Sequence, residues 1–243
     1  MGGPAGFPVR RIGGAGTLGA GDDRLAPDEE RESESRAVER LTLFSDAVAA
    51  IAITLLAVDL PVPEGDTVSA FWSSVGQNDG HYAAFLISFF VIAAAWSGHH
   101  DLFRYARRFD PRLRTLNMVW LLMIVLVPFA TRMLTASGHQ ALDVHALRFG
   151  FYALLQVLES GALLAMLRHM VSCGQAPGTP QSVVTGMARQ CHVLMAGFGL
   201  SVPLFFVTTD AWLLWVIVPV LAGQVSRLRR RGGRGPGGGQ AAG

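Results

Sequence analysis

Between Arg40 and Asp59 the chain carries one charged residue, Asp46, in an otherwise apolar run. Five further apolar runs follow, at residues 81–105, 113–136, 142–170, 182–207 and 211–226. At roughly 1.5 Å rise per residue, about 20 helical residues cross the hydrocarbon core of a bilayer, and each run but the last meets that length comfortably. The pattern predicts an all-α membrane protein of six transmembrane helices. The first helix ends before Pro61 and Pro63, the third contains Pro128, and the fourth is long enough to project beyond the bilayer.

The connections alternate in charge. Residues 62–80 contain Glu64, Asp66 and Asp79 and no basic residue, whereas Arg104, Arg107, Arg108, Arg112 and Arg114 crowd the next connection. Arg168 and Arg189 flank the fourth connection, and Arg227, Arg229, Arg230, Arg231 and Arg234 follow the last run. Basic residues concentrate on cytoplasmic loops, so both termini are expected in the cytoplasm of a multi-pass plasma-membrane protein. Arg132 and Arg148, near the external connection between the third and fourth runs, depart from the pattern. Phe71 and Trp72 suit a short interfacial turn in the first external loop, and Trp212 and Trp215 read as interfacial anchors. Residues 1–35, rich in Gly, Pro and acidic side chains, read as a disordered tail; residues 36–230 form the membrane domain; the Gly-rich residues 231–243 read as a second disordered tail. The two halves of the membrane domain do not resemble each other, which argues against an internal inverted repeat and favours assembly from several copies.

Composition narrows the function. The chain is 51% hydrophobic and 16% charged, with mean hydropathy +0.37, so the lipid bilayer is its surroundings. All 20 basic residues are Arg, but they are dispersed between the apolar runs and the net charge is only +2, which excludes a nucleic-acid face. Cys173 and Cys191 lack zinc or disulfide spacing, so neither a metal nor a cofactor is expected. Adjacent His99 and His100 point about 100° apart on a helix and do not chelate one ion. Ser160, Cys173 and His169 show no nucleophile–base spacing, which speaks against an enzyme.

On a helix of 100° per residue, Arg40, Phe44, Ala47, Ile51, Thr54, Leu55 and Val58 share one stripe, and Ser45 and Asp46 lie more than about 100° from its centre. Such a stripe fits a lipid-facing surface as well as a pore. Asp46 lies about 9 Å inward of Arg40, and Trp96 and His99 on the second run and Asn117 on the third reach a similar depth. These groups can satisfy one another and anchor the first helix to its neighbours, as polar groups in a low-dielectric interior require. Glu159 is a second intramembrane carboxylate with several open roles: a pair with a polar group, a wet crevice or a transport site.

Arg40-x-x-x-Phe44-Ser45-Asp46, the Ala/Ile/Leu run that follows and Pro61 resemble the signature of the transmembrane protein 175 potassium channel family in its prokaryotic single-repeat form. Trp96-x-x-His99, Asn117 and Pro128-Phe129 support the resemblance, as does the span count. It implies a homotetramer whose first helices line a potassium-permeable pore, without the Gly-rich filter of ordinary potassium channels. Carried onto this chain, the resemblance places a hydrophobic constriction at Ile51, with Thr54, Leu55 and Val58 following on the same face. Such a ring gates by dewetting and discriminates by dehydration cost, so selectivity between potassium and sodium is expected to be modest. Arg40, Ser45, Asp46, Trp96, His99 and Asn117 would then hold the helix rather than conduct. Two rivals remain open: a proton-coupled secondary transporter with Asp46, His99 and Glu159 as its relay, and a membrane scaffold without transport.

Overall fold

The computed structural model describes residue 2 and residues 22–108, 110–136, 142–208, 213–215 and 217. Those residues fold into six helices, α1 (Asp22–Val58), α2 (Val68–Gln77), α3 (Asp79–Phe103), α4 (Pro111–Thr135), α5 (Leu142–Ser172) and α6 (Gln181–Phe205), with no strand among the described residues. Four stretches are long and apolar enough to cross a membrane: Glu32–Val58, Asp79–Phe103, Pro111–Thr135 and Leu142–Ser172. α6 occupies the place of the fifth expected span, but Gln181, Thr185, Arg189, Gln190 and His192 make its first half polar. The sixth expected span lies mainly outside the described residues, which include only Leu213, Leu214, Trp215 and Ile217 of it.

Two expectations change. The segment read as a disordered tail is helical from Asp22, and beyond Pro27 in its second turn α1 runs on through its charged residues without a Gly or a second Pro to break it. Residue 1, residues 3–21 and the expected tail at 231–243 lie outside the described residues. The first external loop contains a full helix rather than a turn at Phe71 and Trp72. α2 is started by Thr67, whose hydroxyl accepts from the Ala70 N–H at 3.1 Å.

α4 opens with Pro111 behind Asp110, whose carboxylate accepts the Leu113 N–H at 2.7 Å. α5 ends at Gly174, where a φ of 62° turns the chain so that the Gln175 N–H reaches the Met170 carbonyl at 2.9 Å. The same turn aims the Gln175 carbonyl at the Arg107 N–H, 2.8 Å away, and clips the α3–α4 connection to the end of α5.

α5 is the central post. Its apolar window is 61% buried against 22% for α1, and it packs along α4 on one side and α6 on the other. α1 leans on α3 and α4. Ile92, Leu113, Trp120, Ile124, Tyr152, Met166 and Met170 are fully buried between these helices. Trp215 is not an interfacial anchor: it is 6% exposed, stacks on Phe149 and Tyr152 with ring centroids 4.6 and 4.8 Å apart, and donates its indole N–H to Ser201 Oγ at 2.8 Å. Its polar edge found a partner inside the protein, which removes its reason to sit at the headgroups. Trp212 lies outside the described residues.

The two basic residues that broke the loop pattern have local partners. Arg132 pairs with Asp59 at 3.3 Å, and Arg148 donates to the Ala136 carbonyl at 3.1 Å.

Candidate functional site

α1 has two faces. Ser45, Ala49, Ala52 and Leu56 recur at helical spacing and are 0%, 1%, 1% and 5% exposed where the helix meets its neighbours. The small side chains let backbones approach closely, the usual basis of helix association in lipid. About 150° around the helix, Phe44, Ala47, Ile51, Thr54, Leu55 and Val58 are all exposed, Ile51 by 58% and Val58 by 77%. This second stripe carries no charge above Arg40. The Thr54 hydroxyl turns back onto the Ile51 carbonyl at 2.8 Å, so the face presents mostly carbon.

The polar residues form a chain across three helices. The Trp96 indole N–H donates to Asp46 Oδ1 at 2.8 Å, joining α3 to α1. Asn117 of α4 donates its amide N–H to Ser45 Oγ at 3.0 Å, and its Oδ1 faces His99 Nε2 of α3 at 2.7 Å. An amide oxygen only accepts, so that His99 nitrogen carries the proton. The Ser45 hydroxyl passes its own proton to the Leu41 carbonyl at 2.9 Å. Ser45, His99 and Asn117 are each fully buried, whereas Asp46 and Trp96 keep partial exposure. His100 approaches the other oxygen of Asp46 at 3.9 Å.

Five of the six residues expected in the anchoring network are therefore brought together: Ser45, Asp46, Trp96, His99 and Asn117. Arg40 is not among them. It stands exposed, and no hydrogen bond or ion pair joins it to this group.

The network extends further than the sequence showed. His99 is sandwiched between Phe103 and Trp120, with ring centroids at 4.3 and 4.1 Å. Trp120 then donates its indole N–H to Glu159 Oε1 at 2.6 Å, and Ser160 donates to Glu159 Oε2 at 3.1 Å. Glu159 is thus a buried acceptor of neighbouring donors on α4 and α5, one of the roles left open for it. The available signal was the spacing of Trp120, three positions after Asn117 and on the same helical face. A second hydroxyl cluster was missed entirely: Ser88 meets Thr131 at 2.8 Å and Tyr152 at 3.0 Å, tying α3, α4 and α5 together. Polar residues at equal depth on three spans were its signature.

No group of three metal-ligating side chains occurs among the described residues. The arrangement offers a mostly apolar face that the described residues leave exposed, on a helix joined from behind to α3 and α4 by hydrogen bonds.

Residues 40–128, which include every pore and anchoring residue predicted above but not Glu159, match the family model described as the endosomal/lysosomal potassium channel TMEM175. A Streptomyces collinus protein named as a potassium channel is 33% identical over 171 residues, 70% of this chain and 82% of that protein. A potassium channel of Chamaesiphon minutus is 38% identical over 97 residues, 39% of this chain and 48% of that protein. The match to the bovine endosomal/lysosomal proton channel TMEM175 spans only 24% of that longer protein, at 31% identity. Among solved structures, the crystal structure of a lysosomal potassium-selective channel TMEM175 homolog from Chamaesiphon minutus superposes with a TM-score of 0.63, at 26% identity, over 80% of this chain and 98% of that one.

Proposed function

The chain belongs to the TMEM175 family of potassium channels, and on that premise we propose that the exposed stripe of α1 lines its pore. The protein is a potassium-permeable channel subunit. Ile51 forms the narrow hydrophobic constriction, and Thr54, Leu55 and Val58 continue the wall on the same face. Ser45, Asp46, Trp96, His99 and Asn117 hold that helix in place from behind.

The observation that carries this reading is the division of α1. The face bearing Ser45, Ala49, Ala52 and Leu56 is used up by packing within the subunit, and the face bearing Ile51 and Val58 has no partner among the described residues. A closed ring of identical subunits gives such a face a common axis to line. Four copies arranged in this way make a homotetramer, with potassium ions and the surrounding bilayer as the chain's partners. Each subunit contributes six spans: α1, α3, α4, α5, α6 and the segment around Trp215. The Arg-rich connections and both termini then lie on the cytoplasmic side of the plasma membrane. The network residues are engaged in holding helices, which favours a channel over a proton-coupled carrier that would use Asp46, His99 and Glu159 as a relay. A role in chemistry is not supported, since the relatives are channels and not enzymes.

The test is potassium flux through the purified protein in liposomes, wild type against Ile51→Asn. A polar ring wets where an apolar ring dries, so the variant should conduct several-fold more and discriminate less between potassium and sodium. Unchanged conductance together with unchanged selectivity removes Ile51 from the pore.

A further inference from the structure

At the end of α5 opposite the hydroxyl cluster, Cys173 does not stand alone. Its Sγ lies 3.6 Å from His169 Nδ1, one helical turn earlier, and His169 Nε2 lies 2.7 Å from Asp110 Oδ2 at the start of α4. The second oxygen of Asp110 is fixed by the Leu113 N–H. A carboxylate only accepts, so Nε2 holds a proton and Nδ1 of the neutral ring is left to accept from the thiol. His169 is buried, and Cys173 is exposed to solvent. A nucleophile, a base and a group that orients the base are thus supplied by two separate elements, in the order that activates a thiol. The clip between Arg107 and Gln175 keeps those elements in register.

We propose that Cys173 is a base-activated thiol and a site of mixed-disulfide formation with low-molecular-weight disulfides. The Cys173 proton passes to His169 Nδ1 as the sulfur attacks one sulfur of the incoming disulfide. The S–S bond of the reagent breaks, a new disulfide forms at Cys173, and the departing thiolate takes the proton from His169 and leaves as a thiol. Asp110 is a positioning residue: it holds the ring by Nε2 and so keeps Nδ1 turned toward the sulfur.

The full-length protein in detergent allows a direct test, because Cys191 is 3% exposed and reports any loss of structure by becoming reactive. Dipyridyl disulfide, whose leaving group absorbs light, gives the rate, and intact mass spectrometry gives the stoichiometry. In the wild type one thiol should react, and Cys173→Ser should abolish that reaction. His169→Gln should slow it by about tenfold or more, general-base help being typically about 10²–10⁴. Asp110→Asn keeps the helix cap and should slow it as well; added imidazole should restore part of the His169→Gln rate, which a purely structural role would not allow. Where Cys191 becomes reactive in His169→Gln, Asp110→Asn decides. A wild-type rate in a folded variant of either kind, or a Cys173 no faster than a free thiol in an unstructured peptide, overturns the proposal.

Discussion

At the scale of single residues, cost follows burial. Asn117 serves two partners in a fully buried position, and removing it leaves the proton on His99 Nε2 without an acceptor. A buried group left unsatisfied costs about 1–3 kcal/mol, so Asn117→Ala should lower the unfolding midpoint in detergent markedly. Trp96→Phe deletes a single hydrogen bond to Asp46, whose side chain is 28% exposed within the subunit, and should cost about 1 kcal/mol, as one such bond typically contributes. Equal midpoints for the two variants would contradict this ranking. Asp110 gives a pH signature. Desolvation pushes its carboxyl up, but the Leu113 N–H, His169 and Gln175 together outweigh that and hold it below the ordinary carboxylate range. A depressed folded value stabilises the protein above the unfolded value, and the contribution disappears as pH falls through the folded one. Wild type should therefore exceed Asp110→Asn in unfolding midpoint near neutrality, and the difference should shrink as the solution is acidified below the ordinary Asp range. A constant gap would show that the charge of Asp110 contributes nothing.

At the scale of the helix, α1 predicts an asymmetry between neighbouring alanines. Ala52 is 1% exposed against α3 and α4, whereas Ala50 is exposed. Ala52→Leu overfills a tight contact at a cost of about 1–3 kcal/mol, and Ala50→Leu should be tolerated. The ratio of folded to aggregated protein on size-exclusion chromatography distinguishes them; similar yields would mean that the two faces are not as different as they look. Periodicity revealed both faces of α1 in the sequence, because a 100° step sorts Ile51 from Ala52 without reference to anything else. Depth counted from the flanking Arg residues brought Ser45, Asp46, Trp96, His99 and Asn117 to one level. Trp120 was harder to see, since nothing in a linear pattern distinguishes an indole that stacks on a histidine from one that meets lipid. Trp215 was misread for the same reason, and Cys173 with His169 was passed over because their orienting carboxylate, Asp110, is distant in sequence. α2 was hidden by a loop composition whose helix depends on one local cap at Thr67.

At the scale of the molecule, the face of α1 that the described residues leave uncovered calls for company. Native mass spectrometry of the detergent-solubilised protein should show four copies, and bulky charged substitutions at Val58 should weaken the assembly without unfolding the subunit. A stable monomer that still passes potassium would refute a pore shared between subunits. The all-helical membrane class was legible at this scale because length and hydropathy act on whole segments, while the start of α1 at Asp22 was not, since acidic composition alone does not distinguish a solvated helix from a solvated coil.

The two attachments of α1 differ in kind. Near one end, Ser45 and Asn117 are locked in a fully buried joint; near the other, Asp59 meets Arg132 across a pair whose side chains are 35% and 67% exposed, the kind of contact worth about 0–1 kcal/mol. Mechanically the helix is a beam bolted at Ser45, bedded along Ala49, Ala52 and Leu56, and merely propped at Asp59. Taking the prop away leaves the bolt and the bed in place, so the beam keeps its line without the surface pair.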